Sequence, residues 1–455
     1  MKQNIVNKYS VPVPRYTSYP PANFFSPAYT TEQHRHAVVE SNNREPSHIS
    51  IYIHLPFCFQ MCYYCGCNAF LLTDKTTASK YVEAVKKEMQ MIFPMLSKDR
   101  KVSQIHYGGG TPTSYSFTVL KEINDLIFNE FDYIENPEIA IECHPGYMTE
   151  EYWATLPEIG FNRISIGVQD FNREVLKASR RKPSRLEIGE IIVRLHRQKV
   201  SVNLDFIYGL PLQTEASFAE TIREAIDLKP ERIVTFSYAH VPWVNPLQKK
   251  LEEVGLPTVT EKEKLFHTAS GLLQEAGYRP IGLDHFVLPE DELYTAVQEK
   301  TLHRNFQGYC TRRTTGQVYA FGVTGISQLA ASYSQNTKDI PTYISQIEKE
   351  ELPVLKGYAL NPEEQITREV ISSLMCNNYV SWQEIATSFR TTPEKVKATL
   401  NYDEKNLTEL EEDGLIDRDE EGIRVRPEAT PFVRNVAASL DKLMLHTDKQ
   451  FSKPM

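Results

Sequence analysis

The chain of 455 residues predicts an α/β fold, an open partial (β/α)6 barrel with an N-terminal extended arm and a mainly helical C-terminal domain. Three observations carry this expectation. Between residues 49 and about 290, short β-branched or aromatic runs alternate with helical patterns at the spacing of β/α units. Polar residues recur where those runs end, the end at which a parallel barrel gathers its chemistry. From about residue 360 the pattern changes to short charged helices. The expected division is an arm over 1–48, the partial barrel with its site-forming extensions over 49–355, and a helical accessory or lid domain over 356–455.

Candidate strands cover 50–55, 104–108, 138–142, 163–168, 202–208 and 233–238, with helices expected over 78–95, 118–130, 150–159, 187–198 and 217–227. Six units rather than eight leave the barrel open on one side; an ordinary doubly wound sheet is the alternative. In the arm, the segment VPVPRYTSYPP (11–21) is held extended by its prolines, and Arg15, Tyr16 and Tyr19 bring donors and rings. A strap packed on the body is the competing account of that segment. Toward the C-terminus, helices over 382–389, 392–400 and 407–413 precede two short runs, 414–417 and 422–425. That order is the order of a winged helix, but the region is rich in Glu and Asp, which favours a lid or accessory domain over DNA binding.

Composition narrows the class. Hydrophobic residues make up 41% and aromatics 11%, as in soluble globular proteins. The net charge of −9 opposes nucleic-acid binding, and a polyanionic ligand would need local arginines. No run approaches about 18 apolar residues, and MKQNIVNKYS lacks the apolar centre of a signal peptide. A cytoplasmic protein with reduced cysteines and no membrane insertion is expected.

Four of the seven cysteines fall within IYIHLPFCFQMCYYCGCNAF (51–70), directly after the first strand. Cys58, Cys62 and Cys65 form C-x3-C-x2-C on one tight loop, and thiolates are the usual ligands of iron–sulfur clusters. Three ligands for a four-iron cluster leave one iron open to a small molecule. Zinc is the first alternative, but structural zinc sites draw paired ligands from separate elements. A disulfide framework is the second, and seven cysteines are few for this length. Cys67 is left over, as a ligand, a neighbour of the ligands or a small buried residue.

The later strand ends add to the pattern. The second strand runs into YGGGTPT (107–113), whose glycines let backbone approach a ligand closely and which lacks the Lys of a phosphate-binding loop. Glu142 ends the third strand, Gln169 the fourth, and Asp205 lies on the fifth, with Arg180 and Arg181 on the helix between them. Beyond residue 242 lie GLDHF (282–286), LHRNFQGY (302–309) and a glycine turn, GVTGIS (322–327). The His-Arg-Asn group beside Phe, Gln and Tyr suits a flat, carboxylated ligand.

The three-cysteine loop looks like the signature of the radical S-adenosylmethionine enzymes, and the chain as a whole resembles the oxygen-independent coproporphyrinogen III oxidase (dehydrogenase) family. The resemblance rests on PRYTSYP (14–20), YIHLPFCFQMCYYCGC (52–67), GGGTPT (108–113), GVQDF (167–171), DFIYGLP (205–211), YAH (238–240), DHF (284–286), HRNFQGY (303–309) and GVTGIS (322–327). Gly66-Cys67 and the arm separate it from the related heme chaperones. It implies a 4Fe–4S cluster on Cys58, Cys62 and Cys65, and two molecules of S-adenosylmethionine. Tyr52, Gly109, Glu142 and Ile326 would hold the first; Tyr64, Gly110, Thr111, Gln169, Arg181, Asp205 and Ala239 would hold the second. Substrate contacts are expected from Arg15, Tyr16, Tyr19, His285, His303, Arg304 and Gln307.

The implied reaction turns two propionates of coproporphyrinogen III into vinyl groups through a 5′-deoxyadenosyl radical. The resemblance also implies a tetrapyrrole substrate, a reduced flavodoxin- or ferredoxin-type electron donor, and a monomer. A heme-opening radical methyltransferase and a non-enzymatic heme-transfer protein are the alternatives. The sequence departs from the family at Tyr64 (Phe is common), at Cys143-His144 (Val-Asp is common) and at Pro21 (Thr is common).

Overall fold

Alternation of apolar and polar residues along each strand decides the architecture. The computed structural model describes residues 3–451. Six strands lie side by side in chain order: β1 (Ile49–Leu55), β2 (Val102–Gly109), β3 (Tyr133–Cys143), β4 (Arg163–Gln169), β5 (Ser201–Tyr208) and β6 (Arg232–Ser237). Every adjacent pair among them is parallel.

One face of this sheet is apolar. Ile51, Ile53, Ile105, Tyr107, Ile141, Ile166 and Phe206 pack into a core with Val85, Ile123 and Ile222 from the intervening helices. The other face is polar, and the register aligns its residues into rows: Tyr52 with His106, Gln104 with Glu138, Glu142 with Ser165, Gly167 with Asp205. A parallel sheet covered by helices on both faces is apolar on both. This one therefore curves around a polar interior, which decides for the open barrel against the doubly wound sheet.

The sheet does not close. β7 (Gln317–Phe321) lies parallel to β1 on the side away from β2, followed by the antiparallel strands β8 (Ile326–Leu329), β9 (Ser332–Asn336) and β10 (Val354–Ala359). At the far edge, His285–Val287 and Arg279–Ile281 extend β6 antiparallel. Among the described residues the order is one open sheet of 12 strands. The sequence pattern predicts the six β/α strands within a few residues but not β7, because no helix or spacing links it to its neighbour β1.

The helices between strands begin on side-chain caps. Asp74 caps Lys75–Ile92, Ser116 caps Phe117–Phe128, and Thr214 caps Glu215–Asp227, each accepting from backbone N–H groups of the first turn. A second core joins the arm to the C-terminal region. It contains Tyr16, Tyr19 and Phe25 from the arm with Val370, Leu374, Trp382, Leu415 and Val436. There the helix Pro362–Asn377 is followed by shorter helices and a three-stranded antiparallel sheet of Tyr379–Ser381, Gly422–Val425 and Ile416–Arg418. No helix among the described residues is long and apolar enough to cross a membrane.

Candidate functional site

The cysteine loop leaves β1 at Pro56 and is held by backbone on both flanks. Gly110 N–H donates to Leu55 O at 2.9 Å and Thr111 N–H to Phe57 O at 3.2 Å. On the return, Phe70 N–H donates to Pro56 O and Leu72 N–H to Cys58 O, both at 2.8 Å. Across the sheet, Tyr63 N–H reaches Ser179 O at 3.0 Å and Gln60 Nε2 reaches Arg180 O at 2.7 Å. From the loop after β6, Asn245 Nδ2 donates to Cys65 O at 2.7 Å and Gln248 Nε2 to Tyr64 O at 3.1 Å. Gln248 also donates to Ala239 O at 3.2 Å, so Ala239 borders the same loop.

Two of the sulfurs have polar neighbours. Cys58 Sγ lies 3.2 Å from Thr111 Oγ1, and Arg181 Nη1 lies 3.9 Å from Cys62 Sγ. Burial pushes the Cys58 thiol up to about 11, whereas the hydrogen bond from Cys67 brings Cys65 down to about 7. Cys67 itself is exposed at the end of the loop. Among the described residues, no three His, Cys, Asp or Glu side chains converge as the ligand sphere of a single ion.

Gly110 is a glycine for a visible reason. A Cβ there would sit 2.3 Å from Pro56 O and 3.1 Å from Cys58 Sγ. Gly109 has φ +119°, a backbone conformation open to glycine, and its Cβ would meet the His54 ring at 2.9 Å. Backbone therefore reaches the sulfurs where a side chain would block it.

Inside the barrel, period-two spacing puts Tyr52 and His54 on the polar face of β1. Tyr52 OH and His54 Nδ1 are 3.1 Å apart, and His54 Nε2 is 3.1 Å from Asn68 O. The Tyr52 ring stacks on His106 at 6.0 Å, and His106 Nε2 meets Glu142 Oε1 at 3.1 Å. Burial holds His54 below the ordinary imidazole range. Tyr52 and Glu142 are expected from the sequence motifs; His54 and His106 belong to no such motif role, yet strand alternation puts them beside that pair. Ile326 opens β8 in the antiparallel part of the sheet. Its turn is fixed by Glu88, which accepts from Gly322 N–H at 2.8 Å and from Tyr343 OH at 2.5 Å.

Further along the row, Ser165 Oγ donates to Asp205, and burial pushes that carboxyl up to about 6. Gln169 ends β4 with φ +74° and has a buried Oε1 without a partner. Arg181 Nη2 donates to Gly167 O, while its Nε and the Tyr64 hydroxyl are buried and unpartnered. Buried polar atoms left unpaired by the protein are open to partners from a bound ligand or water. Three thiols, a cradle of glycine backbone and these orphaned atoms together fit a thiolate-bound cluster with a polar small molecule against it.

The residues expected to meet substrate separate into two groups. His285 Nδ1 lies 2.7 Å from Asp284 Oδ1, and its ring meets Tyr309 edge-on at 5.1 Å. The Arg304 guanidinium lies over the same Tyr309 ring at 5.0 Å, with Nε buried and unpartnered. Burial disfavours the Asp284 carboxylate, yet His285, Arg304 and the exposed Arg15 hold it below the usual range. Gln307 sits in a turn organised by Asn305, with an orphaned Oε1. His303 faces the other way: as the neighbour of Arg304 on a strand, it turns toward Glu369 and Arg312, and burial lowers it. Tyr16 and Tyr19 are buried in the second core, with Tyr16 OH donating to Asp441 Oδ2 at 2.9 Å.

Comparison with known proteins agrees with this geometry. The Radical SAM superfamily model matches residues 52–225, and a model described as the HemN C-terminal domain matches 360–432. A protein of Synechocystis called oxygen-independent coproporphyrinogen III oxidase is 38% identical over 98% of this chain and 96% of its own. Its namesake in Escherichia coli is 36% identical over 99% of this chain and 97% of its own. The structure titled "Coproporphyrinogen III oxidase (HemN) from Escherichia coli is a Radical SAM enzyme" superposes with a TM-score of 0.88 at 34% identity, covering 97% of this chain and 98% of that one. With relatives at this identity over nearly the whole of both chains, and with the cysteine loop at the end of β1 beside the polar face of the sheet, the chain belongs to the oxygen-independent coproporphyrinogen III oxidase family of radical S-adenosylmethionine enzymes.

Proposed function

We infer that the chain oxidatively decarboxylates two propionate side chains of coproporphyrinogen III, giving protoporphyrinogen IX without oxygen. Each propionate loses carbon dioxide, one proton and two electrons, and becomes a vinyl group. The observation that carries this reading is the loop of Cys58, Cys62 and Cys65 at the mouth of a polar barrel, with Arg181 beside one sulfur and Thr111 beside another. A bound 4Fe–4S cluster with S-adenosylmethionine supplies the one-electron chemistry for removing hydrogen from an unactivated carbon.

The protein's contribution is to bind, orient and exclude water. Cys58, Cys62 and Cys65 hold the cluster. Tyr52, Gly109, Glu142 and Ile326 cradle one S-adenosylmethionine; the orphaned atoms of Tyr64, Gln169 and Arg181 support a second, with Gly110, Thr111, Asp205 and Ala239 around it. Arg304 and Arg15 give the substrate's carboxylates cationic partners in a protein of net charge −9. His285 and Gln307 line that end, and His303, Tyr16 and Tyr19 support it from behind. We further propose an arm over 1–48 and an accessory region over 356–455 flanking the barrel, a cytoplasmic monomer, and a reduced flavodoxin- or ferredoxin-type donor.

The test is anaerobic turnover of reconstituted enzyme with reductant, S-adenosylmethionine, coproporphyrinogen III and an electron acceptor. Successive mass losses of carbon dioxide to a divinyl product are expected; cofactor cleavage with intact substrate would overturn the reading. Arg304→Ala should raise the substrate KM about tenfold, the scale of one charge-assisted contact, with cluster content unchanged. An unaltered KM removes Arg304 from the substrate site.

A further inference from the structure

We propose that the outer face of the cysteine loop, together with the cationic segment packed against it, is the docking surface for a small acidic one-electron carrier protein. The inference rests on the cluster reading above and adds the side from which the electron arrives. Between residues 173 and 187 the chain carries six Arg or Lys and only two carboxylates, Glu174 and Glu187, in a protein whose net charge is −9. Arg173, Lys177, Arg180, Lys182 and Arg185 are exposed. An acidic partner is repelled by the molecule as a whole and attracted here, which is how a local field orients an encounter.

The segment also touches the loop that holds the thiols. Arg180 O accepts from Gln60 Nε2 at 2.7 Å, and Ser179 O accepts from Tyr63 N–H at 3.0 Å. The Arg180 guanidinium lies over the Tyr63 ring at 5.5 Å. Between Arg180 and Lys182 comes Arg181, whose Nη1 is 3.9 Å from Cys62 Sγ. The surface cations are thus one residue from a group on a cluster ligand.

The centre of the patch is aromatic. Phe59, 45% exposed, stands one residue after Cys58, and its ring packs on Tyr147 at 5.0 Å. Lys182 Nζ lies over the same Tyr147 ring at 4.5 Å. One exposed ring, with the half-buried rings of Tyr63 and Tyr147 and the cations around it, gives an apolar contact with a charged rim, the usual anatomy of a transient interface. The step served is simple: the carrier is oxidised by one electron and the cluster is reduced by one.

The experiment uses the full chain with charge reversal at Arg180→Glu and Lys182→Glu, a bacterial flavodoxin as the probe, and Lys98→Glu as a distant control. Titration calorimetry should show flavodoxin affinity weakened about tenfold or more by the double variant, with the salt dependence of binding flattened and the control unchanged. Turnover driven by dithionite, which needs no docking surface, should stay within about twofold of wild type. Charge-keeping Arg180→Lys and Lys182→Arg should restore binding.

Unchanged flavodoxin affinity overturns the proposal. So does an equal loss under dithionite, which means the segment only supports the loop, or a raised substrate KM with unchanged carrier binding, which means it captures the tetrapyrrole. Binding is read without substrate, so a failed decarboxylation assay and a failed docking surface are told apart.

Discussion

Around the cysteine loop, functional groups are set by backbone: strand ends, a glycine whose Cβ would clash, and carbonyls pinned from neighbouring loops. In the second core, the arm is held by side chains that come from more than four hundred residues away. Arg434 donates to Val13 O and Pro14 O, Tyr16 to Asp441, and Tyr9 OH to Asp413 Oδ2 at 2.7 Å. The first arrangement hangs on hydrogen bonds from strand ends and neighbouring loops, so a change there reaches the thiols. The second lays separate polar contacts over apolar packing, so the loss of one hydroxyl there removes one contact at a time.

Cys62→Ala strikes the backbone-set loop directly. It removes one of three sulfurs from the backbone-set loop, and cluster absorbance and all S-adenosylmethionine cleavage should be lost. Cleavage by a cluster-free variant would end the mechanism.

Next is Glu138→Ala, deep in the polar face. Glu138 Oε2 accepts from Arg163 Nε at 2.8 Å and lies 3.6 Å from Arg232 Nη1, which itself pairs with Asp291. Despite burial, those cations hold its carboxyl down at about 2. The variant leaves two arginines short of a buried partner and should cost about 3–5 kcal/mol in denaturant unfolding of the metal-free chain. A cost under about 1 kcal/mol would mean the barrel interior solvates these charges.

Glu88 sharpens the contrast, because burial pushes its carboxyl up to about 7 while Tyr343, Gly322 N–H and Asn336 oppose that shift. A carboxyl whose folded pKa is raised contributes stability fully below its unfolded value, about 4.5, and loses it as pH rises through about 7. Wild type should therefore lose up to about 3 kcal/mol relative to Glu88→Gln between those pH values. Parallel stability curves for the two proteins would remove Glu88 as the titrating group.

The smallest effect belongs to the second core. Tyr16→Phe leaves Asp441 with one hydroxyl fewer and should cost about 1 kcal/mol in thermal or denaturant unfolding, with the cluster intact. A loss of cluster content in this variant would show that the arm, too, sets the loop.

The α/β class, the six barrel strands, the three-cysteine loop and the glycine backbone beside it are all legible along the chain. Those features are local: strand alternation has period two, and the spacing of Cys58, Cys62 and Cys65 lies within eight residues. The same period places Tyr52 with His54, and His106 with Gly108, on one face. That β7 joins β1, that His303 turns away from Arg304, and that Tyr16 is buried on Asp441 emerge only in the folded chain. Each of these depends on a partner distant in the chain, and periodicity carries no information about which distant segment a strand edge or a hydroxyl will meet.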